Sequence, residues 1–220
     1  MIKAEHKKDL MLLFDLDGTL WNSGQEVADS WNIILAEEMP EFPPLTAADI
    51  TAVMGKTMEE IRLAVIPDME EEKGKAIFKK CEVFEVEYIA EHGGRLYPEV
   101  IETFQKLRDA GYDMAVVSNC QTGYINAFYV SMKTGDFFCD LEEWGNTGLT
   151  KDKNIQLVME RNGYKKAIYI GDTEKDEAAS NGAGIPFIHA SYGFGKAQAP
   201  VAILKEFKEL PEVVRQFEYN

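Results

Sequence analysis

The feature that most constrains this chain is an apolar run that ends abruptly in two carboxylates, within the stretch MLLFDLDGTLW. Met11 to Phe14 are consecutive apolar residues, which predicts a short strand buried on both faces of a sheet. Asp15 and Asp17 follow at once, and Gly18 allows a sharp turn after them. Because unpaired buried charge is costly, this carboxylate pair indicates a shared cation or proton, such as Mg²⁺ beside a phosphate. The alternative is a plain turn, for which Asp-Gly is a common dipeptide.

The rest of the chain alternates short apolar runs with amphipathic stretches, a pattern typical of a parallel sheet covered by helices. Further strands are predicted at Met114 to Val117, within Phe137 to Trp144, at Ala167 to Ile170 and at Ile185 to Ile188. The tail, Val201 to Glu218, is predicted to be helical, with Pro211 dividing it. The predicted fold class is α/β, a Rossmann-like doubly wound parallel sheet core with an inserted all-helical cap domain.

The predicted insertion is the segment 22–96, which reads as helical, acidic and free of strand signals. It holds 7 Lys or Arg against 16 Asp or Glu. Capping-box spacing occurs at Ser23/Glu26, Thr46/Asp49 and Thr57/Glu60. A long helix is predicted from Met69 to Glu91, with an apolar stripe of Ile77, Cys81, Phe84 and Tyr88. We therefore predict a helical cap at 22–96 and a catalytic core formed by 1–21 and 97–220.

Polar residues follow three of the predicted strands, at the point where each strand ends. Asp15 and Asp17 follow the first, Ser118 and Asn119 the second, and Asp172 and Asp176 the third. Because the carboxyl ends of neighbouring parallel strands face one crevice, these groups are expected to converge. One helical turn is expected to place Asp172 and Asp176 on the same side. Four carboxylates favour Mg²⁺, with Asp15, Asp17, Asp172 and Asp176 as candidate ligands.

Several donors are candidates for holding an anion in this crevice. Thr19 offers a hydroxyl and a backbone N–H, and Ser118 and Asn119 offer a hydroxyl, an amide and backbone N–H groups. Lys151 and Lys153, near a helix start, are both candidates for offsetting the carboxylate charge. Each feature also has an ordinary structural explanation: a strand–helix turn for Ser118-Asn119 and a solvated surface charge for either lysine.

Composition excludes several classes of partner. The net charge of −15 argues against nucleic acid and anionic membranes, and no apolar run approaches the length of a membrane span. Residues 1–9 read as a polar leader without the apolar region of a secretory signal. The three cysteines lack metal-site spacing and are odd in number, which favours a reducing, cytoplasmic setting. The sequence does not indicate an oligomeric state.

The order of motifs, DLDGT after an apolar strand, then VVSN, then a lysine, then GDTEKD, resembles the haloacid dehalogenase superfamily of phosphatases and phosphomutases. The insertion after the first motif is similar to the subfamily with a small helical cap, which includes phosphoglycolate phosphatase-like enzymes and β-phosphoglucomutase. The SYGFG segment at 191–195 also looks like a loop of phosphoglycolate phosphatase relatives. Relatives often carry proline after the lysine of the third motif. Here Asp152 follows Lys151, so the choice between Lys151 and Lys153 stays open.

The resemblance implies a role for each matched residue. Asp15 would form an aspartyl-phosphate, and Asp17 would act as general acid and base while its carbonyl reaches Mg²⁺. Ser118 and the N–H of Asn119 would bind the phosphate, and Lys151 would stabilise its charge. Asp172 would ligate the metal, and Asp176 would ligate it or orient its water shell. Dehalogenases of the superfamily lack the second aspartate, so carbon–halogen hydrolysis is disfavoured.

Three functions remain open at the level of sequence. A phosphatase comes first, and its substrate is expected to be a small phosphorylated metabolite because the acidic cap disfavours polynucleotides. A sugar phosphomutase would use the same core, and the cap turn at Gly55-Lys56-Thr57, where we expect Lys56 to meet the substrate, would discriminate the two. A non-catalytic binding protein is disfavoured by the retention of both Asp15 and Asp17. Phosphoglycolate, sugar phosphates, nucleoside monophosphates and pyrophosphate all remain possible substrates.

Overall fold

The computed structural model of the chain describes residues 8–217. Six parallel strands form one sheet in the order β5-β4-β1-β6-β7-β8, and two short strands, β2 and β3, pair antiparallel. The strands are β1 (Leu10–Phe14), β2 (Trp21–Asn22), β3 (Arg95–Leu96), β4 (Met114–Ser118), β5 (Asp140–Glu143), β6 (Lys166–Gly171), β7 (Phe187–Ala190) and β8 (Ala202–Leu204). The predicted polar leader lies outside the described residues except for its last two positions.

Helices connect the strands and cover the sheet. They are α1 (Gly24–Glu38), α2 (Ala47–Thr51), α3 (Met58–Val65), α4 (Glu71–His92), α5 (Val100–Asp109), α6 (Tyr124–Met132), α7 (Trp144–Thr147), α8 (Lys151–Arg161), α9 (Glu174–Ala183) and α10 (Leu210–Arg215). Short 3₁₀ turns lie at Gly135–Phe137 and Phe207–Glu209.

The central strand β1 shows why the sheet needs helices on both faces. All five of its residues are buried. Leu12 and Phe14 belong to one hydrophobic cluster, whereas Met11 and Leu13 belong to a second one. Because alternate side chains of a strand point to opposite faces, an apolar residue at every position requires cover on each side. The predicted fold class, a doubly covered parallel α/β sheet, is confirmed.

The helical segment between β2 and β3 follows its sequence signals closely. Two of the three predicted capping boxes, Thr46 with Asp49 and Thr57 with Glu60, form at the starts of α2 and α3. Helices α1 and α4 pack together, with Trp31 edge-on to Phe78 at 5.1 Å between ring centroids. The expectation that 22–96 is free of strands is wrong at its two ends, because Asn22 pairs with Arg95 in the β2–β3 ribbon.

Three other local predictions are wrong. The tail was predicted to be helical, but it begins with strand β8. Ile203 of this strand pairs with His189 of β7, because this apolar segment lies beside a sheet edge that is otherwise unpaired. Pro211 lies in the first turn of α10, where its missing N–H costs nothing, and does not divide a helix. The β7 strand begins two residues later than predicted.

The long helix α4 was predicted in the right place, but the stripe that it buries is different. Glu85 and Ile89 continue the buried row that starts at Ile77 and Cys81, in place of Phe84 and Tyr88. Within residues 8–217, none of the helices combines the length and the apolar character that crossing a bilayer would demand.

Candidate active site

The centre of the sheet brings the predicted polar strand ends together. Strands β4 and β6 flank β1 on either side. Asp15 follows β1, Ser118 ends β4 and Asp172 follows β6, and all three side chains are buried. Since parallel strands end at the same edge, Asp15 lies between groups that are more than a hundred positions away along the chain.

Lys151 connects two of the buried carboxylates. Its Nζ donates to Asp15 Oδ1 at 2.8 Å and to Asp176 Oδ1 at 2.7 Å. Burial opposes its charged form, but the charges of Asp15 and Asp176 outweigh that effect and raise the pKa of Lys151 well above its ordinary value. Lys153, by contrast, has a side chain that is 55% exposed and contacts Asp152 at 3.7 Å. The structure therefore places Lys151, and not Lys153, in the crevice.

Asp176 is fixed by the start of α9. It forms a capping box with Thr173, the N-cap residue, and its Oδ2 accepts from the Thr173 hydroxyl at 2.7 Å. Asp172 lies before α9, so a helical turn does not relate the two residues, but the expectation that their carboxylates lie on the same side is confirmed, with oxygens within 4.8 Å of each other. The two residues are nevertheless adjacent, since the backbone N–H of Asp172 donates to Asp176 Oδ2 at 3.2 Å.

Asp172 is held in place from two loops. Its Oδ1 accepts from the Thr19 hydroxyl at 3.4 Å, and its Oδ2 accepts from the backbone N–H of Phe194 at 2.7 Å. The Thr19 N–H donates to the Leu16 carbonyl at 3.2 Å. Both donors of Thr19 are therefore engaged within the protein. This corrects the expectation that Thr19 offers them to an anion.

Two glycines permit this close packing around Asp172. A Cβ on Gly193 would lie 2.3 Å from the Gly18 carbonyl oxygen and 2.4 Å from Asp172 Cβ. Gly18 itself has a φ of +86°, and a Cβ there would lie 2.3 Å from Asp172 Oδ2. The SYGFG segment thus packs directly against the acidic cluster, and a side chain at either glycine would displace Asp172.

Asp15, Asp172 and Asp176 offer carboxylate oxygens that all lie within 4.8 Å of one another. Burial, with the Asp176 charge as the second cause, raises the pKa of Asp15 to about 7 and that of Asp172 to about 8. One lysine does not balance this much negative charge. The cluster therefore fits a divalent cation with oxygen ligands, which would remove the excess charge.

The Asp17 carboxylate is not part of that three-carboxylate group, which corrects the expectation that all four carboxylates gather around one metal. Its Oδ1 accepts from the Ser23 hydroxyl at 2.6 Å and from the Tyr124 hydroxyl at 3.2 Å. Burial raises the pKa of Asp17 to about 6, while the Ser23 and Tyr124 hydroxyls lower it. The capping box predicted at Ser23 does not form, because the Ser23 hydroxyl donates to Asp17 and the side chain makes no cap hydrogen bond.

A cavity of about 40 Å³ lies between the helical segment and the sheet edge. Asp15, Asp17, Ser118 and Asn119 line it from the sheet, and Lys56 lines it from the turn before α3. The Asn119 side-chain amide donates to the Gly55 carbonyl at 3.2 Å and so connects the two sides. Most of the remaining wall is apolar: Trp31, Ile50, Val53, Met54, Met58 and Ile61. Thr19 is not among the lining residues.

Sequence reasoning missed four polar residues at this site. Ser23 and Tyr124 hold Asp17, and Glu85 and Gln121 line the cavity. The sequence did contain a signal for Glu85. It lies four positions after Cys81, which places it on the buried side of α4. No local signal marked Tyr124, because its hydroxyl meets Asp17 across 107 positions of sequence.

Comparisons with known proteins identify the family and the fold of this chain. A family model described as haloacid dehalogenase-like hydrolase matches residues 12–190. The phosphoglycolate phosphatase of Rhodobacter capsulatus is 26% identical over 221 residues, covering 95% of this chain and 98% of that protein. A solved structure of a predicted phosphoglycolate phosphatase from Haemophilus somnus has a TM-score of 0.78 at 22% identity, covering 96% of this chain and 100% of the other. A haloacid dehalogenase-like family hydrolase from Streptococcus pneumoniae has a TM-score of 0.77 at 20% identity, covering 95% and 99%. At these identities the two solved structures establish the fold.

Proposed function

The chain belongs to the haloacid dehalogenase-like hydrolase family, and we propose that it is a magnesium-dependent phosphatase that hydrolyses a small phosphate monoester through an aspartyl-phosphate on Asp15. One observation carries this proposal most directly. Asp15 and Asp17, two buried carboxylates from a single strand end, line one cavity together with Ser118 and Asn119. Relatives named phosphoglycolate phosphatase, similar over nearly the whole chain, support the same class of reaction.

Asp15, Asp172 and Asp176 are the side chains that would hold Mg²⁺, together with the backbone carbonyl of Asp17. When bound, the ion supplies positive charge that lowers the repulsion between the Asp15 carboxylate and the phosphate. Thr19, Phe194 and Gly193 position Asp172 for this task. Asp176 Oδ2 accepts from Thr173 and Oδ1 accepts from Lys151, so Asp176 would share one of these oxygens with the metal or reach it through water.

The first step forms a bond between a carboxylate oxygen of Asp15 and phosphorus, while the bond from phosphorus to the leaving oxygen breaks. Asp17 donates its proton to that leaving oxygen, and the product alcohol departs. Asp17 then takes a proton from a water molecule, whose oxygen attacks phosphorus and releases phosphate and the free Asp15 carboxylate. Asp17 is thereby reprotonated, and the cycle closes.

The other residues bind and orient. Lys151 holds Asp15 and neutralises charge on the transferring phosphoryl group, and Ser118 with the Asn119 N–H binds a phosphate oxygen. Ser23 and Tyr124 fix one oxygen of Asp17, so that the other faces the cavity. Lys56 approaches the substrate from the segment 22–96, which we assign as the cap that excludes water from the reaction.

The test is phosphate release from p-nitrophenyl phosphate with Mg²⁺ and with a chelator, for the unmodified protein and for Asp15→Asn. We expect magnesium-dependent turnover that Asp15→Asn abolishes, while Asp136→Asn, at an exposed carboxylate, retains it. Turnover that survives Asp15→Asn would exclude Asp15 as the nucleophile. If turnover is absent from the unmodified protein, on this ester and on sugar phosphates assayed for hydrolysis and isomerisation, the phosphatase assignment is wrong.

A further inference from the structure

A buried carboxylate at the end of β5 takes no part in the mechanism above. Glu143 is 1% exposed, and the parallel pairing of β4 with β5 places it directly beside Ser118. Glu143 is not among the residues that line the cavity, so any effect that it has on the reaction passes through the residues that it contacts. Because a buried acid is costly unless hydrogen bonds satisfy it, its partners indicate its role.

The partners of Glu143 are donors on the turn that joins β4 to α6. Its Oε1 accepts from the backbone N–H of Gly123 at 2.5 Å, and its Oε2 accepts from that of Ile125 at 3.2 Å and from the Cys120 thiol at 3.6 Å. Burial raises the pKa of Glu143, and the two backbone N–H groups oppose that change by stabilising the ionised form. Since the N-cap residue Gly123 makes no side-chain cap, Glu143 supplies acceptors to the first turn of α6.

The same turn packs closely against the residues that follow β5. The Gly145 N–H donates to the Cys120 carbonyl at 3.0 Å. A Cβ on Gly145 would lie 2.1 Å from the backbone nitrogen of Thr122, so only glycine allows this approach. The chain from 143 to 145 therefore holds the turn 119–125 along most of its length.

Tyr124 lies between the two N–H groups that Glu143 binds, and its side chain reaches the proposed proton donor. The buried Tyr124 hydroxyl donates to Asp17 Oδ1 at 3.2 Å. Displacing the first turn of α6 would withdraw this hydroxyl from Asp17. A general acid that is out of position transfers its proton poorly, so the contacts of Glu143 bear on the chemical step.

We propose that Glu143 is a positioning residue for phosphoryl transfer, which anchors the turn 119–125 so that Tyr124 holds Asp17 where it protonates the leaving oxygen. This inference rests on the proposed phosphatase function and adds to it a residue that the substrate does not touch. If Glu143 only stabilised the fold, its loss would lower activity toward every ester to the same extent. If it acts through the general acid, the loss depends on how much the leaving group needs a proton.

Two aryl esters of similar shape separate these two roles. p-Nitrophenol is a stronger acid than phenol, so p-nitrophenyl phosphate depends less on protonation of its leaving oxygen than phenyl phosphate does. In the intact chain with Mg²⁺, we expect Glu143→Gln to lower kcat/KM for phenyl phosphate by about tenfold or more beyond any loss for p-nitrophenyl phosphate. The amide of the new side chain offers an NH₂ group where an acceptor is needed, so it cannot hold both N–H groups of the turn.

Two further variants assign the effect to Tyr124. Tyr124→Phe is expected to change the ratio of the two esters in the same direction, and the double variant is expected to change it no further, because both substitutions release the same carboxylate. Glu142→Gln is the matched control. The Glu142 side chain pairs with Arg161 at 2.6 Å instead of with the turn, so its loss is expected to lower stability and leave the ratio unchanged.

The outcomes separate this inference from the function on which it rests. Absence of turnover with both esters in the unmodified protein would defeat the phosphatase assignment itself. With turnover intact, a ratio that Glu143→Gln leaves unmoved while circular dichroism shows it folded would overturn the inference alone, as would a double variant in which the two effects multiply. If Glu143→Gln does not fold, Glu143→Asp, which keeps the carboxylate but is too short to reach both N–H groups, is judged by the same ratio.

Discussion

Lys151 and Lys153 are two positions apart in the sequence, yet the structure gives them opposite surroundings. Lys151 lies between Asp15 and Asp176 with a side chain 4% exposed, whereas the side chain of Lys153 is 55% exposed. The first turn of α8 explains the difference, because residues two apart on a helix point in different directions. The sequence alone left this choice open, since both lysines follow Thr150 at a helix start.

We expect Lys151→Met to lower kcat/KM for an aryl phosphate by at least about 100-fold, because a charged donor to the reacting group is lost. Without added metal, the same change is expected to lower the free energy of unfolding by about 3–5 kcal/mol, since it leaves buried carboxylates without their cation. Lys153→Met is the matched control, with both quantities unchanged. Steady-state kinetics and urea denaturation measure the two effects, and equal losses in both variants would refute the assignment.

Glu85 predicts a pH dependence of stability. Burial is the largest cause that raises its pKa from 4.5 to about 8, and the Asp17 and Glu82 charges add to the increase, whereas Gln121 and Trp31 hydrogen bonds oppose it. The folded protein therefore binds this proton more tightly than the unfolded chain does. Its contribution to stability is complete below about pH 4.5 and is lost as pH rises toward 8.

We expect Glu85→Gln, which cannot ionise, to gain stability relative to the unmodified protein across that interval, by an amount on the order of a few kcal/mol. Urea denaturation at several pH values with a chelator present measures the difference, and the raised pKa values of Asp15 and Asp172 cancel because both proteins contain them. Glu87→Gln provides the control. A difference that stays constant from pH 5 to pH 9 would show that Glu85 titrates normally.

At the scale of helices and strands, a local motif was predicted correctly where its two interacting residues lie close together in the sequence. Thr46 with Asp49 and Thr57 with Glu60 form the capping boxes that their spacing predicted, because each pair closes within a single turn. Ser23 has the same spacing to Glu26, but its hydroxyl goes to Asp17, to which Tyr124 from another helix also donates. Tertiary contacts thus overruled a local motif at the site itself, where such exceptions are expected.

Tertiary contacts also explain why Glu85 and strand β8 were missed. Glu85 was missed because a charged residue ordinarily lies at the surface, whereas here the Trp31 indole N–H, 54 positions away, donates to its buried carboxyl. β8 was missed because a short apolar segment reads as strand or helix until a sheet edge is available beside it. By contrast, the convergence of Asp15, Ser118 and Asp172 was predictable, since the rule for parallel strand ends depends on topology and not on detailed packing.

The loop between β7 and β8 gives a prediction at this scale. Gly193→Ala would place a Cβ 2.4 Å from Asp172 Cβ, so the loop or Asp172 must move. We expect a higher Mg²⁺ concentration for half-maximal phosphatase activity and a lower melting temperature. Gly135→Ala is the matched control, because its Cβ would make only an ordinary contact, 3.5 Å from Tyr129 Cβ. Unchanged magnesium dependence in Gly193→Ala would contradict the expectation that the added Cβ displaces Asp172 from the ion.

At the scale of the whole molecule, the chain passes between the helical segment and the core at two places, the paired strands β2 and β3. The cavity of about 40 Å³ between them has room for a few water molecules but not for a phosphate ester. We infer that substrates larger than this cavity enter when the helical segment moves away from the sheet edge. Glu60 of α3 and Lys175 of α9 form an ion pair at 2.8 Å across this boundary.

Because both side chains of that pair are about half exposed, the ion pair itself contributes little stability and can open readily. A covalent link at the same place is different. We expect Glu60→Cys with Lys175→Cys, joined by a short bis-maleimide with a disulfide in its spacer, to lose most of its turnover of aryl phosphate, since the cavity can no longer open. Reduction of the spacer is expected to restore it.

The two single-cysteine variants, treated identically, control for reaction at the native thiols, among which Cys139 is exposed and Cys120 lines the cavity. Full turnover in the linked protein, with cross-linking verified by mass spectrometry, would mean that substrates reach Asp15 without separation of α3 from α9. Loss of turnover only in the linked double variant would instead identify opening of this boundary as an obligatory step by which substrates reach Asp15.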